Sequence, residues 1–127
     1  MATDDSVTLV EILDVLGSFD EARELIQACI ARLEREGVPG LASMRFYEDP
    51  AAKELAAVIM FSNSSEILAH TRMISSWPEF QRFATSIRLK DMRIHGTVSP
   101  EVRAWLDQFQ GPRRVFDKHL AGFSRKP

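Results

Sequence analysis

Residues 69–83, AHTRMISSWPEFQRF, begin as good helix and then meet Trp77-Pro78. The helix reads back to Asn63, a capping residue with Glu66 three positions on, and its apolar positions are Ile67, Thr71 and Ile74. His70 falls among them at three-four spacing, so an imidazole faces inward. Proline disfavours helical geometry in the residue before it, so the chain breaks at Trp77. Ser76, three residues before Glu79, reads as the cap of a restarted helix with Phe80, Phe83, Ala84 and Ile87 inward. A broken helix with a histidine on its apolar side and an indole at the break is compatible with a pocket between helices and something flat, and equally with a core filled by those side chains.

Working outward, the flat partner is a sheet. Val7–Leu16, VTLVEILDVL, is β-branched and apolar on both alternating faces, as a central strand covered on both sides would be. Ser18-Phe-Asp-Glu21 is a capping box opening a helix that Gly37 and Pro39 stop. Residues 41–47 alternate, Asp49-Pro50 turns the chain, and residues 54–62 return as a second apolar strand. Residues 89–98 form a last strand, with Met92, Ile94 and Val98 on one face and Asp91, Arg93, His95 and Thr97 on the other. The order strand, helix, strand, strand, helix, strand is the split βαβ arrangement of an α+β, ferredoxin-like fold with an antiparallel sheet.

Both helices of that arrangement cover one side of the sheet. The other side carries too many apolar residues to face water, which predicts a homodimer through the sheet face. Beyond the core at 7–98, Ser99-Pro100-Glu101 opens a C-terminal helix over 99–110 with Val102, Trp105, Leu106 and Phe109 as its stripe. The remainder, 111–127, is basic yet holds Val115, Phe116, Leu120 and Phe123, and reads as an arm packed on a partner subunit.

A chain of 127 residues matches the common size of one domain, so 1–127 is expected to share a single core. Sixteen Lys and Arg against eighteen Asp and Glu leave no field with which to hold a polyanion, so nucleic acid is not an expected partner. The longest apolar run, 55–61, is far short of the roughly 20 residues that span a bilayer, which excludes membrane insertion as a helix. The acidic start MATDDSV lacks a signal region, and the lone Cys29 fits a reducing compartment, so a cytoplasmic location is expected.

Chemistry is sparse. His70, His95, His119 and Cys29 show no metal spacing, and no phosphate loop or nucleophile elbow occurs. Glu11 and Asp14 lie on opposite faces of the first strand and are not a paired acid and base. Cys29 reads as a small core residue. An inward imidazole without partners costs roughly 1–3 kcal/mol, so His70 needs a backbone partner, water or a ligand. Trp77 either plugs the core or lines a pocket, and Tyr47, Phe46, Arg93 and His95 are strand residues able to line the same space.

The segments SNSSEILAHTRMISSWPEFQRF and MRIHGTVSPEVRAWL, in this element order, resemble the antibiotic biosynthesis monooxygenase-like group of dimeric α+β barrels over roughly residues 7–110. The resemblance implies a cavity between sheet and helices in each subunit, and oxidation of a small aromatic or quinol substrate by O2 without metal, flavin or other cofactor. It implies His70 as general base or hydrogen-bond partner of a phenol. Asn63 and Trp77 would contact substrate, Trp77 by stacking, and Arg93 would balance an oxyanion where its strand face looks into the cavity; Tyr47 joins the substrate-binding candidates by its strand position. Two departures narrow it. The group's second histidine is replaced here by the run MISSWPEF. The first strand has no asparagine and His70 precedes Trp77, which speaks against haem degradation. Three readings follow: a cofactor-independent monooxygenase, a non-catalytic metabolite-binding or stress-response dimer, and a structural dimer whose cavity is filled by its own side chains.

Overall fold

The computed structural model describes residues 5–109 and 111–125. The reading of the N-terminus therefore falls largely outside the described residues, as do position 110 and the last two residues of the expected arm. The chain forms β1 (Val7–Val15), α1 (Phe19–Glu36), β2 (Leu41–Asp49), β3 (Glu54–Phe61), α2 (Ser65–Ile74), α3 (Pro78–Thr85), β4 (Ile87–His95), α4 (Pro100–Leu106) and β5 (Arg113–Phe116). One sheet holds all five strands in the order β2-β3-β1-β4-β5. The first four are antiparallel and ferredoxin-like, as the element order predicts; β5 joins parallel to β4.

Central placement explains the composition of β1. Val7, Leu9, Leu13 and Val15 are buried on the helix-facing side, where each fully buried aliphatic side chain contributes about 1.5–3 kcal/mol. Covering is one-sided, however: Thr8, Val10, Ile12 and Asp14 on the other side are only half-buried. Their neighbours across the sheet are Val58 and Ala56 of β3, with Arg45 and Tyr47 of β2 beyond. Tyr47 and Met60 are 55% and 39% exposed. This is the apolar face that the sequence reading assigns to a second copy.

Local chemistry sets the element ends. The Ser18 hydroxyl accepts from Glu21 N at 3.2 Å, and α1 buries Ala22, Leu25 and Cys29 before the Gly37 N–H closes on Leu33 O. In the β2–β3 turn, Asp49 Oδ1 accepts from Ala52 N and Lys53 takes a φ of 54°. At the head of α2, Asn63 Oδ1 accepts from Glu66 N at 3.3 Å, so its side chain serves the helix. Trp77 is extended, with φ −79° and ψ 125°, as a residue before proline must be, and Pro78 starts α3. Ser76 does not cap that helix. Its hydroxyl donates back to Met73 O, and α3 starts with no side-chain cap at all, because proline at the first position leaves one fewer N–H to satisfy.

Two further expectations are corrected at the C-terminal end. The helix expected over 99–110 is shorter, with Ser99 Oγ accepting from Val102 N at its start. Part of the expected arm stays on its own subunit: Arg113–Phe116 pairs with Met92–His95 as an edge strand, and His95 stacks on Phe116 with centroids 5.4 Å apart. The alternation seen in RRVF is that of a strand, and β4 offered an unpaired edge. Leu120 and Phe123 beyond it are 96% and 81% exposed. Finally, β4 carries a bulge where Ile12 faces Asp91 but Leu13 faces Leu89, leaving Lys90 extra. The bulge lets Leu89 and Met92 both point under the helices.

Candidate functional site

Between the sheet and the helices lies a cavity of about 440 Å³, a size that suits a small organic ligand. Its floor is Leu9, Glu11 and Leu13 of β1 with Ile59, Phe61 and Met92 from the flanking strands; its roof and walls come from α1, α2, α3, and from Trp105 and Phe109 at the C-terminal helix. Phe46, Phe80 and Trp77 line the space without filling it. The structural reading, in which core side chains plug the cavity, is therefore set aside.

Almost every lining group is apolar. Four are not, leaving aside the indole N–H groups. Thr71 is already committed, its hydroxyl donating to Ile67 O at 2.8 Å. Cys29 sits on the buried stripe of α1, and burial pushes its thiol up to about 11, with Glu79 adding to the shift. The other two are His70 and Glu11.

His70 is 6% exposed, lies edge-on to Phe61 with centroids 5.4 Å apart, and has a buried Nδ1 with no hydrogen-bond partner among the described residues. Burial lowers its pKa from 6.5 to about 4. The ring is thus neutral at ordinary pH. It carries an unmet hydrogen-bond requirement of roughly 1–3 kcal/mol.

Glu11 is the residue that sequence reasoning missed. It occupies the helix-facing side of β1 between Leu9 and Leu13, level with Ala57 on β3 and Met92 on β4. Its carboxyl makes no hydrogen bond or ion pair among the described residues, and burial alone raises its pKa from 4.5 to about 7. The signal was present: the inward positions of β1 read Val7, Leu9, Glu11, Leu13, Val15, one acid in an apolar row. Asp14, as the alternation predicts, lies on the other face, within reach of Arg88.

Trp77 is 5% exposed and lines the cavity. The Arg32 guanidinium sits 4.1 Å from its ring centroid while donating to Glu79 at 2.7 Å and Glu36 at 3.0 Å. One indole face is therefore taken, and a ligand ring would meet the other face or the edge. The remaining candidates lie elsewhere. Asn63 caps α2. Tyr47 borders a shallow depression on the opposite side of the sheet with Ile12 and Ala56. Arg93 is exposed on that same side, where it donates to Asp91. The pleat decides this: residues paired with Val10 and Ile12 point away from the helices. His70 and Trp77 share the cavity; Asn63, Tyr47 and Arg93 do not line it.

No family profile and no curated protein sequence matches the chain. Solved structures do. MupZ from Pseudomonas fluorescens superposes with a TM-score of 0.69 at 16% identity over 94% of both chains. SnoaB, a cofactor-independent oxygenase from Streptomyces nogalater, gives 0.59 at 14% identity over 71% of this chain and 90% of its own. A Chloroflexus aurantiacus protein provisionally named an antibiotic biosynthesis monooxygenase gives 0.55 at 14% over 74% and 92%. At these identities the likeness is one of fold. The chain has the fold of the monooxygenase-like group that the sequence resembles.

Proposed function

We propose that the protein is a cofactor-independent monooxygenase that oxidises a small aromatic or quinol substrate with O2, acting as a homodimer through its open sheet face. The observation that carries this is the cavity: about 440 Å³, walled by Trp77, Trp105 and several phenylalanines, with an unpartnered imidazole inside. A planar polycycle matches the walls. Its hydroxyl would donate to the neutral His70 ring, meeting the requirement that the chain leaves open. Exclusion of water keeps the deprotonated, electron-rich ring available to reduce O2. A similar fold houses SnoaB, whose name states that activity.

A second reading has its own support. With its pKa near 4, His70 is a weak base, as suits a site that binds a hydroxylated metabolite without turning it over. Oxygen uptake with naphthoquinols and anthrone separates the two, comparing wild type with His70→Ala matched for stability. Catalysed uptake that falls in the variant is the expected result. Tight binding with no uptake above the uncatalysed rate leaves the binding reading in place and removes the oxygenase.

A further inference from the structure

Among the described residues, the cavity lining holds three titratable groups and no cation. They are Glu11 on β1, Cys29 on α1 and His70 on α2; the residues that β2, β3, β4, α3 and α4 turn toward it are apolar. Arg72, two residues from His70, is exposed; Arg32, three residues from Cys29, is committed to Glu79 and Glu36; and Arg93, opposite Val10 across the sheet, to Asp91. This inventory constrains how a proton can leave a bound substrate.

If His70 took the proton, an imidazolium and a substrate anion would both have to exist in an apolar space, creating two charges where there were none. If a carboxylate takes it, one negative charge simply moves from protein to substrate, and the net charge of the cavity is unchanged. Among the described residues that line the cavity, Glu11 is the one carboxylate placed to do so. It projects from the floor of the site on the central strand of the sheet, held by neighbours on both sides, and no group among the described residues competes for its oxygens.

We propose that Glu11 is the proton acceptor of this site, and that the substrate is a largely apolar polycycle bearing one acidic hydrogen, a phenol or an enolisable ketone, held by His70 as a neutral partner. In the step itself the substrate O–H or C–H bond breaks and its electron pair stays on the substrate. The proton forms an O–H bond to a Glu11 carboxylate oxygen, so that carboxylate and acid become carboxylic acid and enolate or phenolate. A carboxyl whose pKa burial has raised to about 7 is matched to that task near neutral pH. The inference rests on the oxygenase reading for the fate of the anion, not for its formation.

The test is run without oxygen. Anthrone is incubated anaerobically in D2O with wild type, Glu11→Gln and Glu11→Asp, and deuterium entry at its methylene carbon is followed by NMR across pH 5 to 9, with anthrone binding measured alongside. Wild type should accelerate exchange, with a rate that rises through neutral pH to a plateau. Glu11→Gln should bind anthrone yet lose exchange by about 100-fold or more, the usual contribution of a positioned base, and Glu11→Asp should recover part of it. No acceleration by wild type, or full acceleration by Glu11→Gln, overturns the proposal. Exchange without oxygen uptake in air upholds Glu11 and removes the oxygenase reading, whereas undiminished uptake by Glu11→Gln does the reverse.

Discussion

Replacing Glu11 by glutamine should make the protein more stable, and only above acidic pH. In the unfolded chain the carboxyl ionises near 4.5; in the cavity it holds its proton to about 7. Between those values the native state binds more protons than the unfolded state, so stability is full below pH 4.5 and is lost as pH rises to 7. Two and a half pH units at about 1.36 kcal/mol each give a loss of about 3 kcal/mol. Glutamine has the shape of the protonated acid and no charge to bury. Glu11→Gln should therefore match wild type at pH 4 and exceed it by about 3 kcal/mol at pH 8. For 127 residues this is a rise in Tm of roughly 10 °C. Thermal melts by circular dichroism at fixed protein concentration, at pH 4, 6 and 8, read this directly. A Tm difference that stays constant across the series would refute the assignment of Glu11 to the apolar cavity, as would a variant less stable than wild type at pH 8.

The opposite slope belongs to His70, which stays neutral down to about 4 while the unfolded imidazole protonates near 6.5, so stability is lost as pH falls through that window. In wild type the two slopes nearly cancel; His70→Phe should unmask a steady decline in urea midpoint from pH 4.5 to 7. Gly96 holds a φ of 128°, and a Cβ there would lie 2.6 Å from Ser6 O, so Gly96→Ala should lower stability by about 1–3 kcal/mol in chemical denaturation. Val58→Lys puts a charge in the middle of the open sheet face and should shift the species seen by light scattering from the proposed dimer to monomer; a dimer mass in the variant, or a monomer mass in wild type, would remove that face as the interface.

The element order was legible because the cues were local: caps at Ser18 and Ser99, the Asp49-Pro50 turn, and the proline that breaks the second helix. Periodicity likewise placed His70 inward correctly. What could not be read was anything set by pairing between distant strands. Arg93 and Tyr47 were candidates only while the side of the sheet they take was open, and their register with Val10 and Ile12 decides it. The strand at Arg113–Phe116 needed the free edge of β4 to be recognised as one. Glu11 is illegible for a different reason: spacing between acids marks pairs, whereas its significance lies in having no partner among the described residues.

The central position of β1 also bears on how the chain folds. Its two neighbours, β3 and β4, come much later in the sequence, with Thr8 facing His95 across nearly the whole core. During synthesis, therefore, the stretch VTLVEILDV emerges early and waits with both edges open, the condition under which apolar strands find one another in the wrong molecule. In that waiting state Glu11 is hydrated and ionised at neutral pH, a charge set in the middle of an aggregation-prone segment. Once the sheet closes the pKa of that carboxyl climbs. The residue that burdens the finished protein at high pH is the one that guards the unfinished chain.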